Sequence, residues 1–161
     1  MRKASLSAAC LIAILGFFSP LAFPAPTESP TSAAAGAPED PNYAAGKQAL
    51  AASDWKAAAE ALNKAVANEP DNANAQNLLA YSYRKLGNLD LAFKHYNEAL
   101  RLNPKHLGAH EYIGEAYLMA GNLAKAEEHL AVLDRLCLFG CEEYRTLKKS
   151  VAEYKQKSGA K

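Results

Sequence analysis

Apolar residues recur at helical spacing through two stretches that each close on a proline, Pro70 in ANEPDN and Pro104 in RLNPKH, 34 residues apart. A fixed period of this length marks a stack of helical repeats. Units starting at Glu39, Ala73 and Leu107 align without a gap as EDPNYAAGKQALAASDWKAAAEALNKAVANEPDN, ANAQNLLAYSYRKLGNLDLAFKHYNEALRLNPKH and LGAHEYIGEAYLMAGNLAKAEEHLAVLDRLCLFG. Their eighth, twentieth and twenty-seventh places hold Gly46, Ala58 and Ala65, then Ala80, Ala92 and Ala99, then Gly114, Ala126 and Leu133. Eight of these nine are Gly or Ala, side chains that let antiparallel helices approach closely. Larger residues fill the space between units: Leu79, Tyr83 and Tyr96 in the second, Ile113, Tyr117 and Leu130 in the third. Turn signals at Ser53, Gly87 and Gly121 split each unit into two helices, with Asp54, Asn88 and Asn122 placed to cap the second. The pattern predicts an all-α solenoid of three helix-turn-helix units, 39–72, 73–106 and 107–140. Beyond them Tyr144, Leu147, Val151 and Tyr154 form one apolar stripe with lysines behind it, which predicts a capping helix over 141–157 and a disordered tail at 158–161.

The stretch YSYRKLGNLDLAFKHYNEALRLNP in the second unit, with its Tyr, Gly, Ala, aromatic, Ala and Pro in place, resembles the tetratricopeptide repeat family. The first unit departs from that pattern at Asn42, Ala45 and Ala49, and the third at Leu133 and in lacking the closing proline. The resemblance covers Glu39 to about Gly140. It implies that the first helices of the units line a concave groove through their second, fifth, ninth, twelfth and thirteenth places. Here those places give Tyr43, Lys47 and Leu50, then Asn74, Asn77, Tyr81, Arg84 and Lys85, then Glu111, Glu115, Leu118 and Met119. Such a mixture of aromatic, methionine and charged residues suits a groove for a peptide or helix, and it also fits an ordinary solvated face. One subclass of the family grips a partner's C-terminal carboxylate with basic and amide residues. The corresponding places here hold Tyr43 and Lys47, Leu78, Gly108 and Tyr112, so the resemblance implies no such grip.

The N-terminus follows other rules. Arg2 and Lys3 precede an uncharged apolar run at Ala8 to Phe18, and prolines follow at 20, 24 and 26. The run is shorter than the roughly 20 residues a membrane-spanning helix needs, so 1–25 reads as an export signal. An uncleaved segment anchored in the inner membrane is the alternative. Residues 26–38, within PAPTESPTSAAAGAP, read as a flexible linker. Loss of Arg2 and Lys3 takes the formal net charge from +1 to −1, which leaves no global field for nucleic acid or anionic lipid, and the mature chain carries no membrane span. The expected location is the periplasm.

Export gives meaning to LCLFGCEEY at residues 136–144. Without Cys10 the chain keeps Cys137 and Cys141, and an even pair in an exported chain reads first as a disulfide. The two bracket the turn where Pro70 and Pro104 stand in earlier units, with Leu138 in the proline's place. A thiol-redox pair or a copper site joined by His129 remain open as alternatives. The CLFGCEEY turn is also similar to that of a group of exported bacterial repeat proteins.

Other chemistry is sparse. His106 and His110 lie four apart, a zinc-compatible spacing, but one falls in a turn and the other at a packing position. His95 reads as solvated, and Trp55 as a packing residue. No phosphate loop, HExxH or GxSxG occurs, so no enzyme, cofactor or metal is expected. The successive units carry formal charges of −3, +3 and −3, and the segment from Cys141 carries +3. The alternation supports stacking register and admits a weak head-to-tail self-association. The function expected is that of a protein-binding adaptor or assembly factor of the bacterial envelope, the alternative being a thiol-redox or copper-handling accessory protein.

Overall fold

The computed structural model describes residues 39–159; the expected signal and linker lie outside the described residues. Seven helices follow in order: α1 Pro41–Ala51, α2 Trp55–Asn68, α3 Ala73–Lys85, α4 Leu89–Leu102, α5 Leu107–Met119, α6 Leu123–Leu136 and α7 Glu142–Ser158. The fold is all-α: the described residues contain no strand.

Local chemistry sets the ends. Asp40, Asp54, Asn72, Asn88 and Asn122 each accept a backbone N–H of the helix they open, satisfying donors that have no partner within a first turn. His106 does the same for α5, its Nδ1 accepting from Ala109 N–H at 3.1 Å. Cys141 caps α7 without a side-chain hydrogen bond, and Glu142 and Glu143 supply negative charge to its first turn instead. Within each pair the chain reverses through one residue at positive φ: Ser53 at 57°, Gly87 at 79° and Gly121 at 76°. Ser53 is the only one of the three with a Cβ to strain there. The following residue closes each turn by donating back five positions, Asp54 to Ala49, Asn88 to Tyr83 and Asn122 to Tyr117.

The small-residue columns are buried: Ala58, Ala80, Ala92, Ala99 and Ala126 are sealed from solvent. A Cβ on Gly46 would lie 2.5 Å from Leu62 Cγ, so α1 and α2 meet too closely for any larger side chain. Leu79, Ile113 and Leu147 stand at one repeat spacing and are all fully buried. Each inserts from its own helix into a hydrophobic cluster shared with the pair before it. Leu147 continues this series, so α7 packs as the first helix of a fourth unit against α5 and α6. Its eighth place carries exposed Lys148, over the Tyr144 ring at 5.3 Å, where Gly46, Ala80 and Gly114 stand in the other units. A long charged side chain there ends the array.

α1 touches α3, α3 touches α5 and α5 touches α7, whereas α2, α4 and α6 do not approach one another. A stack in which only one row of helices is in contact bends toward that row, so the first helices form the inner, concave side.

Candidate functional site

The centre of the concave side rests on one stripe of α3. Asn77, Tyr81 and Arg84 are spaced four and three apart and so share a face. Arg84 is nearly buried, its side chain 10% exposed, and its Nη1 donates to Glu115 Oε2 of α5 at 2.8 Å. Its guanidinium also lies 5.1 Å from the Tyr81 ring centre and 5.6 Å from that of Tyr112. A planar, weakly hydrated cation between two rings is a favoured arrangement. Trp55, Tyr81 and Tyr112 form a continuous run of rings with centres 5.9 and 4.9 Å apart. Lys85 covers the outer ring, 4.9 Å from the Trp55 centre.

Among the described residues three buried polar atoms, Asn77 Oδ1, Arg84 Nε and the Tyr96 hydroxyl, make no hydrogen bond. The last two lie close together, short of hydrogen-bonding geometry, and burial pushes the Tyr96 hydroxyl up from its ordinary range.

α5 and α7 add acids. Glu115 also faces α7, where Ser150 Oγ donates to it at 3.4 Å. Glu111 is half-buried and makes no hydrogen bond or ion pair among the described residues. Burial, together with Glu115 and Glu143, pushes its carboxyl up to about 7, against the pull of Arg84. Glu111, Tyr112, Glu142, Glu143 and Thr146 line a cleft of about 230 Å³ between the two helices. A wider depression of about 480 Å³ at residues 86–90 has no converging functional side chains.

The remaining groove candidates are placed less centrally. Tyr43 is half-buried in the first hydrophobic cluster, with Lys47 5.0 Å from its ring centre and paired to Glu39 at 2.5 Å. Asn74 Oδ1 is bonded to His106 Nε2 at 3.0 Å. Leu118 packs into the cluster of α5, α6 and α7, and Met119 is exposed at the end of α5.

The tetratricopeptide repeat model matches residues 43–106 and 81–137, together more than half of the sequence. The chain belongs to the tetratricopeptide repeat family. No curated protein matches it in sequence. Among solved structures it is similar to the Yersinia enterocolitica type III secretion translocator chaperone SycD, with a TM-score of 0.66 and 17% identity over 73% of this chain and 83% of that one. SycD in complex with a peptide of the translocator YopD gives 0.62 and 18%, over 72% and 88%. The TPR2B domain of yeast Sti1 in complex with pHsp70 gives 0.65 and 23%, over 72% and 94%.

In this tetratricopeptide repeat chain the histidines have structural partners. His110 Nε2 lies 3.0 Å from the Pro104 carbonyl and therefore donates to it, which leaves Nδ1 to accept from His129 Nδ1 at 2.9 Å. Burial and His110 hold His129 down to about 4. His129 stacks on Tyr117, so its contacts are with α5 and not with the cysteines. His106 turns to Asn74 and does not converge with His110. His95 corrects the solvated reading: it is half-buried, stacked on Tyr83, with Nδ1 2.8 Å from Gln76 Oε1. Trp55 packs edge-on against Tyr81, with ring centres 5.9 Å apart.

The cysteine sulfurs are 2.07 Å apart and the Cα atoms 5.4 Å apart. Gly140, at φ +74°, turns the chain between them, and Arg145 Nη1 donates to its carbonyl at 2.7 Å. The sequence reading missed Tyr112, Glu142, Glu143 and Thr146 as groove residues. Counting a fourth unit from Cys141 would have found part of them, because Glu142 falls at its second place, a groove place.

Proposed function

We propose that this chain is a protein-binding adaptor or assembly factor of the bacterial cell envelope, exported to the periplasm, which holds a peptide segment of its partner in the concave groove. The observation that carries the reading is the run of rings Trp55, Tyr81 and Tyr112 on the inner side of the stack, with Arg84 against the last two. Structural neighbours captured with peptides, such as SycD with a segment of YopD, support this mode of use. Export is supported by the apolar N-terminal run and by the likeness of the CLFGCEEY turn to exported bacterial repeat proteins. In that compartment Cys137 and Cys141 act as a clip on the turn into α7.

Retrieval of the partner from envelope extracts tests the reading. The double variant Tyr81→Ala/Tyr112→Ala, with helicity checked by circular dichroism, is expected to lose the partner that wild type retains. Lys94→Ala/Asn97→Ala, on the exposed side of α4, is expected to keep it. Equal loss in both would refute the groove.

A further inference from the structure

We propose that the run of rings receives a proline-rich segment of the partner in the polyproline II form, with an acidic residue beside the prolines, an inference that rests on the groove reading above and names the partner's chemistry. Trp55, Tyr81 and Tyr112 come from α2, α3 and α5, each half-buried, with ring centres 5.9 and 4.9 Å apart. Neighbouring planes meet at 73° and 47°, so the rings do not stack on one another. The nearly buried Arg84 guanidinium, 5.1 and 5.6 Å from the Tyr81 and Tyr112 centres, backs both rings from within the stack. Rings held in this way are preorganised and lose little further freedom on binding. Aromatic rows are suited to proline-rich segments, which are already stiff before they dock.

The polar tips of the rings decide between extended and helical guests. The Trp55 indole N–H and the Tyr81 and Tyr112 hydroxyls reach solvent and make no hydrogen bond among the described residues. The indole and the Lys85 ammonium can only donate, and each hydroxyl can donate. A guest for this row must therefore bring acceptors. A helix uses its backbone carbonyls internally, and a non-proline strand brings as many N–H groups as carbonyls. A polyproline II segment has no internal hydrogen bonds and lacks the N–H at each proline, so it is rich in acceptors and poor in donors. It rises about 3.1 Å per residue, which puts alternate residues about 6.2 Å apart, near the spacing of the rings.

Charge places the acidic residue. Lys85 is exposed, lies 4.9 Å from the Trp55 ring centre and pairs with no acid among the described residues. Arg84, by contrast, is answered by Glu115. The free charge at the Trp55 end of the row is positive, and an acidic side chain of the guest complements it.

The test is a library of random twelve-residue peptides displayed on phage and panned on the full chain. Enriched peptides are then measured by fluorescence anisotropy against wild type, Tyr81→Ala, Tyr81→Phe, Trp55→Phe and Lys85→Gln, each checked for helicity. Enriched sequences are expected to carry two or more prolines and an Asp or Glu, and to lose binding when the prolines are replaced by alanine. Tyr81→Phe and Trp55→Phe keep a ring and remove a donor, so each should weaken binding about fivefold, as for one lost hydrogen bond. Lys85→Gln should weaken it and flatten its dependence on salt. Proline-poor or helical peptides that are lost in Tyr81→Ala would overturn the proline assignment and leave the groove standing. Proline-rich peptides indifferent to both Phe variants would overturn the donor match on which the assignment rests. No enrichment, or binding indifferent to Tyr81→Ala, would overturn the groove as well.

Discussion

The Arg84–Glu115 pair ties the two middle first helices together, and its coupling can be measured. Glu115→Gln keeps the shape and removes the charge, leaving Arg84 as a buried cation with a neutral neighbour. Arg84→Met fills much of the space between Tyr81 and Tyr112 but leaves Glu115 beside Glu111 with no counter-charge. Breaking one side of a fully buried pair costs roughly 3–5 kcal/mol. Here the two side chains are 10% and 22% exposed, so solvent screening lowers the expected cost of either single change to about 2 kcal/mol. Each single variant strands a charge that the double variant does not. Arg84→Met/Glu115→Gln should therefore cost less than the sum, with a coupling of about 1–2 kcal/mol. Urea unfolding followed at 222 nm reads this directly. With a slope of roughly 2 kcal/mol per molar, each single variant should lower the midpoint by about 1 M. Additivity within about 0.3 kcal/mol would refute the reasoning, because it would mean that the two charges do not hold one another in solution.

Three further outcomes are expected. Ser53→Gly removes a Cβ from a residue at φ 57°, and should raise stability by about 0.5–1 kcal/mol after the entropy glycine adds to the unfolded chain; a loss in thermal melting would contradict the turn assignment. Cys137→Ser/Cys141→Ser opens a five-residue loop and should cost about 2 kcal/mol, seen as faster hydrogen exchange in α7, while equal exchange would mean that the clip adds nothing. Glu111 ionises near its ordinary 4.3 in the unfolded chain and near 7 in the fold, so its neutral form favours the fold below about 4.3 and that contribution is lost as pH rises through 7. Glu111→Gln should therefore gain about 1 kcal/mol over wild type at pH 8, discounted for half exposure, and little at pH 4; the same gain at both would show that burial and the neighbouring Glu115, Glu143 and Glu142 do not act on its charge.

The fold was legible because its physics is periodic. A stack that requires small residues where helices cross at a fixed interval writes those residues into the chain at that interval, and Ala58, Ala92 and Ala126 show it. The caps were legible for the same reason, since Asp54, Asn88 and Asn122 answer a local need for acceptors. The groove was legible only as a set of places. That Arg84 is buried between two rings depends on the angle at which α3 meets α5, which spacing does not encode. The acidic cleft depends on α7 packing as a fourth first helix, which brings Glu142 and Glu143 beside Glu111. His95 was misread because its burial comes from Tyr83 and Gln76 on the neighbouring α3.

The central claim is that the inner face of the stack holds the partner, and a photo-cross-linking map in intact cells tests it most directly. A photoreactive residue would replace Tyr81, Tyr112 or Thr146 on the inner face, and Lys94, Asn97 or Arg101 on the exposed face of α4. The account predicts one adduct, of the same mass, from the three inner positions and none from the outer three. Adducts formed equally from α4, or from α4 alone, would contradict it.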